Sequence, residues 1–296
     1  MKQIAIIGPT ASGKTALAIE VAQKYNCYIL SLDSLSIYKE VDIVSAKPTV
    51  EERAGIPHFG IDEIYVNEEF NVVKFFDIYK KAKEACEKDS KNLIIVGGSS
   101  FYLKAMMDGL SKSQKITHET KILVKEKTKD LSQAYSFIKK LDLEYAQKIS
   151  KADRYRMEKW YEIFLSENQV ATKFFLNNPQ KPILKHLKIY EIKTDRDELR
   201  KKISLRTSLM LKQGLIDEIY FLEKKYGRNH IAMGSIGVKE TLDFLDGKIK
   251  KEELKAQIST HTAQLAKRQT TFNRTQFPTK ISNIKENLKK DISFYF

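Results

Sequence analysis

Gly8-Pro9-Thr10-Ala11-Ser12-Gly13-Lys14-Thr15 stands between an apolar run, Ile4-Ala5-Ile6-Ile7, and a helix-like run from Ala16 to Tyr25. In order, these are a strand, a loop and a helix. The spacing G-x-x-x-x-G-K-T has a mechanical meaning. Glycines let the backbone turn tightly, successive N–H groups point inward, and the helix N-terminus adds partial positive charge. A phosphate or diphosphate is expected in that loop. Lys14 is expected to reach its terminal phosphate as a point charge, and the Thr15 hydroxyl to hold a magnesium ion, Mg2+.

Outward from the loop the pattern predicts an α/β fold, a P-loop parallel sheet with helices on both faces. Cys27 to Leu32 reads as a second strand ending at Asp33-Ser34. From Phe70 to Lys88 the apolar residues Val72, Val73, Phe76, Tyr79 and Ala82 recur at helical spacing, as in a helix covering a sheet. Leu93-Ile94-Ile95-Val96 is a third strand, running into Gly97-Gly98-Ser99-Ser100. A hydrolysing P-loop ATPase usually carries an acid at the end of such a strand. Here two glycines are expected to let something large approach the backbone, which argues against ATP hydrolysis. His186 to Thr194 alternates and returns the chain to the sheet.

Ligands of open α/β sheets gather outside the carboxyl ends of the strands. Asp33 therefore falls beside the anion loop and suits two roles, a base or metal partner, or a turn-forming Asx residue. Asp42-Ile43-Val44-Ser45-Ala46-Lys47-Pro48 is a loop that brings a cation near the same edge. Asp195 or Asp197 is expected to cap a helix through Ile203, Arg206 and Met210 to Gly214. Arg206 shares the face of Ile203 and Met210, so its guanidinium needs an anion, either the diphosphate or a structural ion-pair partner.

Between Ser111 and about Asn178 the chain is Lys-rich, helix-periodic and nearly free of glycine and proline, as in an inserted all-helical subdomain. The expected organisation is a core in two parts, 1–112 and 181–296, around an insertion at 113–180. Within the insertion, Asp153-Arg154-Tyr155-Arg156-Met157-Glu158-Lys159-Trp160 interleaves cations with aromatics. That composition suits phosphate contacts with base stacking, and equally an amphipathic helix with a solvated basic face. Ser235 to Glu240 opens another helix. A long one from Glu252 to about Phe272 carries Gln264 to Gln269, with Arg274 beyond. The tail from Thr275 is weakly patterned and receives no role.

The chain of 296 residues holds 52 Lys+Arg against 38 Asp+Glu, a formal charge of +14, which favours a polyanionic partner. Cys27 and Cys86 are in no ligand spacing, and the five histidines are scattered, so neither a disulfide framework nor a zinc site is expected. No apolar run approaches membrane-spanning length, and a soluble cytoplasmic protein without a membrane partner is expected.

The order of these motifs resembles the bacterial tRNA dimethylallyltransferases, the tRNA isopentenyltransferase family. The matching stretches are GPTASGKT, SLDS around Asp33, DIVSAKP, IVGGSSFYLKA, the helix of Arg206, SIGVKE and QLAKRQ, spanning Gly8 to Arg274. The resemblance implies transfer of a dimethylallyl group from dimethylallyl diphosphate to the exocyclic amine of the adenosine 3′ of the tRNA anticodon, by a monomer. It implies that Asp33 accepts the amine proton and that Thr10 and Arg206 donate to the bridging oxygen. The diphosphate would lie on Gly8, Pro9, Thr10, Ala11, Ser12, Gly13, Lys14 and Thr15, with Mg2+ on Thr15. The insertion would hold the anticodon stem-loop. Implied tRNA contacts are Asp33, Ser34, Leu35, Ser36, Ser99, Lys121, Tyr155, Arg156, Met157, Glu158 and Lys159. Gly234, Ser235, Ile236, Gly237, Val238, Lys239, His261, Gln264, Lys267 and Arg268 complete that set.

Several positions depart from the usual pattern of the family: Ser36 for glutamine, Val44-Ser45 for Gly-Thr, Ser99 for threonine, Val238 for tyrosine, Ala263 for arginine and Phe272 for tryptophan. Rival readings are an adenylate isopentenyltransferase acting on a free nucleotide, a P-loop small-molecule kinase, and a non-catalytic RNA-binding module.

Overall fold

A computed structural model describes residues 1–110 and 116–296. β1 (Gln3–Ile7) runs into the glycine-rich loop and α1 (Lys14–Tyr25). β2 (Cys27–Leu32), β3 (His58–Phe59), α2 (Val72–Lys88), β4 (Asn92–Gly97) and α3 (Ser100–Asp108) follow. Next come α4 (His118–Lys127), α5 (Leu131–Leu141), α6 (Leu143–Gln147), α7 (Arg154–Glu167) and α8 (Ala171–Asn177), and then β5 (Lys188–Ile192). The order ends with α9 (Arg196–Gln213), α10 (Leu215–Tyr226), α11 (Val238–Leu245), α12 (Lys251–Gln276), β6 (Ile281–Asn283) and α13 (Lys285–Ser293).

All strand pairs of the sheet are parallel, in the order β3-β2-β4-β1-β5-β6. Strands buried on both faces read as continuous apolar runs, and Ile4 to Ile7 and Leu93 to Ile95 are fully buried. Ile4, Ile6, Ile29, Ile94 and Val96 pack against α1 and α13 through Leu17, Ala18, Val21, Leu288 and Ile292. The alternate residues face the other side, where α2 lies against β2 and β4. The buried stripe of α2 is Phe75, Phe76, Ile78, Tyr79, Ala82 and Cys86. Val73, expected in that stripe, is exposed.

The chain divides into two units, Met1–Lys104 with Leu184–Phe296, and Ala105–Ile183. The expected boundary at 112 and 113 lies outside the described residues. The second unit is wider than 113–180 because its ends are tied: the Ile183 N–H donates to the Met106 carbonyl at 2.8 Å. Its own core gathers Ile138, Met157, Trp160, Tyr161 and Phe174. At the centre Asp142 accepts from Trp160 Nε1 (3.0 Å), from Thr172 Oγ1 (2.6 Å) and from the backbone N–H of Thr172 (3.0 Å).

Two sequence expectations change here. The tail, given no role, supplies β6 on the sheet edge and α13, whose Leu288 and Ile292 are fully buried under β5 and α1. The glycines after the third strand do not open a way for a ligand. A Cβ on Gly97 would overlap the Leu32 carbonyl on the neighbouring strand, and one on Gly98 would overlap the Gln269 amide from α12.

Candidate functional site: an anion loop beside a carboxylate

The first unit carries the loop at the carboxyl end of β1, between β4 and β5. Gly13, the N-cap of α1, has φ 84°, and a Cβ there would touch nothing, so the requirement for glycine is purely conformational. The Pro9 carbonyl accepts from the Ser12 N–H (3.3 Å) and from Lys14 Nζ (3.0 Å). Lys14 is buried. Burial lowers its pKa from 10.5 to about 8, with the Asp33 charge opposing the shift and the Arg206 charge adding to it. Ser12 Oγ is buried with no hydrogen-bond partner among the described residues. A buried hydroxyl without a partner, in a loop of this type, is chemistry suited to a phosphate oxygen. Thr15 sits exposed on the first turn of α1.

Around the loop three side chains converge from distant parts of the sequence. Arg206 projects from α9 between the buried residues Ile203 and Thr207. Its Nη1 donates to Thr10 Oγ1 at 3.3 Å and its Nη2 to the Ser45 carbonyl at 3.4 Å. Burial lowers the guanidinium pKa and the Asp33 charge opposes this. No carboxylate pairs with Arg206 within salt-bridge distance among the described residues, so the structural ion pair that competed with the diphosphate is not found. Gln269 Oε1 accepts the Thr10 N–H at 2.8 Å, fixing the loop from α12.

Asp33 serves as the turn residue and keeps an oxygen to spare. Its Oδ1 accepts the N–H groups of Leu35 (2.8 Å) and Ser36 (3.2 Å), an Asx turn. Oδ2 makes no hydrogen bond among the described residues. The turn role is thus taken by Oδ1, and Oδ2 is left without a partner among those residues. Its charge is felt by Lys14 and by Arg206, which places all three within electrostatic reach of the loop.

The residues implied as tRNA contacts scatter by burial. Ser34, Lys239, Gln264, Lys267 and Arg268 are exposed on the first unit; Leu35, Ser99, Ser235, Ile236 and His261 are half-buried, and Gly234 is exposed. Three are corrected as side-chain contacts. Ser36 is only 4% exposed, Val238 1% and Met157 0%, so none of the three presents its side chain at the surface. In the second unit Lys121, Tyr155, Arg156 and Lys159 are exposed and Glu158 is half-buried. Tyr155, Arg156 and Lys159 line a cleft of about 550 Å³ with Tyr145 and Phe175. Trp160, for which the sequence left base stacking or an amphipathic helix open, belongs to the core. Lys47 is also taken: its ammonium pairs with Asp42 and Asp62.

Gln269, Ser45 and Glu240 lie in motifs that the sequence singles out without giving them an individual role, and Glu218 lies in none. Glu240 is buried, accepts the Gly237 N–H (2.6 Å) and meets His261 Nδ1 at 2.5 Å, tying the 234–239 loop to α12. A cavity of about 980 Å³ lies between α9 and α12 and reaches Pro9; Leu199, Ile203, Ala263 and Thr271 are among its walls.

The sheet, the loop and the cations in it define an α/β protein of the P-loop type. The model of the IPP transferase family matches residues 36–276, and the chain belongs to that family. It is 55% identical over 296 residues, 100% of this chain and 99% of the other, to a tRNA dimethylallyltransferase of Aliarcobacter butzleri. Among solved structures it is similar to a eukaryotic dimethylallyltransferase acting on tRNA, with a TM-score of 0.83, 26% identity, and coverage of 96% of this chain and 74% of that one. A tRNA isopentenylpyrophosphate transferase of Staphylococcus epidermidis matches over 100% of both chains with a TM-score of 0.70 and 28% identity.

Proposed function

We propose that this chain acts as a tRNA dimethylallyltransferase, moving the dimethylallyl group from dimethylallyl diphosphate to the exocyclic amine of the adenosine 3′ of the anticodon. The observation that carries the reading is the grouping of Lys14, Thr10 and Arg206 on the anion loop beside a carboxylate with one unpartnered oxygen. The chemistry follows from that grouping. The amine nitrogen attacks the allylic carbon, the bond from that carbon to the bridging oxygen breaks, and the electron pair leaves with the diphosphate. Asp33 Oδ2 takes the amine proton. Thr10 Oγ1 and Arg206 Nη1 donate toward the bridging oxygen, while Lys14 and the loop N–H groups hold the departing charge.

Thr15 Oγ1 would hold Mg2+, which when bound would supply positive charge to the departing diphosphate. Thr15 fits that role, since its hydroxyl is exposed and makes no hydrogen bond among the described residues. The target base has to leave its stack to reach Asp33, so the RNA is expected to present it flipped out. Exposed Lys267, Arg268 and Lys239 on the first unit, and Lys121, Tyr155, Arg156 and Lys159 on the second, are the proposed RNA contacts. The formal charge of +14 supports a polyanionic partner. No helix among the described residues is long and apolar enough to cross a membrane.

The test is incubation of purified protein with Mg2+, radiolabelled dimethylallyl diphosphate and either an unmodified anticodon stem-loop or AMP. Label on the stem-loop alone is expected. Label on AMP alone would replace the reading with an adenylate enzyme, and label on neither would reject prenyl transfer.

A further inference from the structure

Loop 42–45 is held by a carboxylate from far along the chain. Glu218, in the first turn of α10, accepts three consecutive backbone N–H groups: Asp42 at 2.9 Å and Ile43 at 2.7 Å on Oε2, and Val44 at 2.9 Å on Oε1. Three successive N–H groups converging on one anion form a nest. Beyond the Asp42–Lys47 ion pair, the same loop meets Arg206 and the start of α11. The Ser45 carbonyl accepts from Arg206 Nη2 at 3.4 Å. Val44 packs where a Cβ on Gly237 would sit, 2.5 Å from its Cγ2, so the loop also abuts the start of α11.

We propose that Glu218 is a positioning residue for the transfer: by clamping the 42–45 backbone it fixes the Ser45 carbonyl, and through it the aim of Arg206 at Thr10 and the leaving oxygen. The proposal rests on the prenyl-transfer reading for its rate consequence, although the clamp itself is also read by diphosphate binding. Arg206 has two fixed contacts, and one of them is a hydroxyl that is also needed by the substrate. The Ser45 carbonyl is the remaining one; the Ser45 hydroxyl ties the residue to the Val41 (2.6 Å) and Asp42 (3.0 Å) carbonyls, and the Glu218 clamp on the preceding N–H groups fixes the segment as a whole. Burial raises the Glu218 carboxyl pKa even against its three N–H donors, with the Asp42 charge adding to the rise. A carboxylate kept in so unfavourable a place is a poor choice for stability alone, which agrees with a role at the site. Glutamine at 218 keeps the size but supplies one acceptor oxygen and turns an NH2 toward the N–H groups.

The experiment is a double-mutant cycle of Glu218→Gln with Arg206→Ala. Two quantities are read: the single-turnover rate at saturating stem-loop and dimethylallyl diphosphate, and the affinity for inorganic diphosphate. Glu218→Gln is expected to slow transfer tenfold or more and weaken diphosphate several-fold, yet to change neither by more than twofold when Arg206 is already alanine. Equal losses in both backgrounds would mean a merely structural role and overturn the proposal, as would the absence of any loss from Glu218→Gln while Arg206 is in place. Should wild type bind diphosphate but transfer no label, the prenyl reading fails and the binding cycle still decides the clamp. Should Glu218→Gln not fold, amide exchange on wild type decides: Asp42, Ile43 and Val44 are expected to be protected, and fast exchange there would refute the clamp.

Discussion

Diphosphate binding is expected to weaken as pH rises past 8, and Lys14 is the reason. Burial brings its pKa down from 10.5 to about 8. A bound diphosphate restores the charged form, because the ammonium then faces an anion in a site shielded from water. Above pH 8 the free protein must therefore take up a proton to bind. At pH 9 about one Lys14 in eleven is protonated, so affinity should be about tenfold lower than at pH 7, or about 1.4 kcal/mol. The linked stability has the opposite sense. Between pH 8 and 10.5 the unfolded chain holds a proton that the folded chain has lost, so ligand-free protein gains stability as pH rises through that window. The assay is titration calorimetry with an unreactive thiolodiphosphate analogue at pH 7, 8 and 9, in two buffers of different ionisation enthalpy to count protons. A terminal phosphate with a second pKa of about 6 is already about nine-tenths ionised at pH 7, so the ligand adds little slope and none of it above pH 8. Lys14→Arg keeps its charge and should bind with a flat profile. Constant wild-type affinity, or uptake of no proton at pH 9, would refute the reasoning.

Asp142→Ala removes the acceptor of Trp160 Nε1 and of both Thr172 donors, and should lower the stability of the second unit by about 3 kcal/mol. Urea unfolding followed by fluorescence of the one tryptophan reads it, and an unchanged midpoint would contradict the network. Burial pushes the Asp142 carboxyl up, but hydrogen bonds from Thr172 and Trp160 outweigh it and hold the pKa below the usual range. Its contribution should accordingly be present at neutral pH and fade as pH falls below about 4. Gly97→Ala forces β2 and β4 apart at the Leu32 carbonyl and should destabilise by about 3 kcal/mol, against about 1 kcal/mol for Gly13→Ala, where only φ is strained. Thermal unfolding of the two variants compares them, and an equal loss would show the overlap to be harmless. Stem-loop affinity should fall roughly a hundredfold between 50 and 200 mM salt if about five phosphates are contacted, and filter binding showing a flat response would exclude the basic surfaces as phosphate contacts.

What could be read in the sequence was what is local. Gly8 to Thr15 announces its own conformation, since strand, turn, helix start and cation all lie within a few residues of one another. The apolar runs at 4–7 and 93–96 likewise carry their burial on their face. Asp33 was legible as a turn residue or a base, and only the geometry shows that the turn takes one oxygen and leaves the other unpartnered among the described residues. Partners across the chain left no trace. Glu218 sits in the first turn of α10 beside Asp217, where an acid is ordinary near the positive end of a helix. Nothing in that pattern reveals that it reaches Val44, 174 residues earlier. Met157, an RNA contact only by the resemblance, and Trp160, which composition left open, both fall on the face of α7 turned to Ile138 and Phe174; composition cannot tell an aromatic that stacks on RNA from one that fills a core. The 275–296 tail was passed over because a three-residue edge strand and a short helix are too brief for periodicity to register.

The tie between Met106 and Ile183 bears on the order in which the molecule assembles. β1 must pair with β4 and with β5, and the second unit lies between those two strands in the chain. As an open coil of roughly 80 residues it would make the sheet slow to close, because loop-closure entropy has to be lost before the distant pairing is gained. Once folded, its two ends are drawn together, with Gly109 so close to Lys181 that a Cβ there would lie 2.6 Å from the Lys181 backbone. To the sheet, the insertion then behaves as a connection of a few residues, and the closure entropy falls by about 2 kcal/mol. A unit that is contiguous in sequence and joined at its neck thus smooths the path of the very sheet it interrupts.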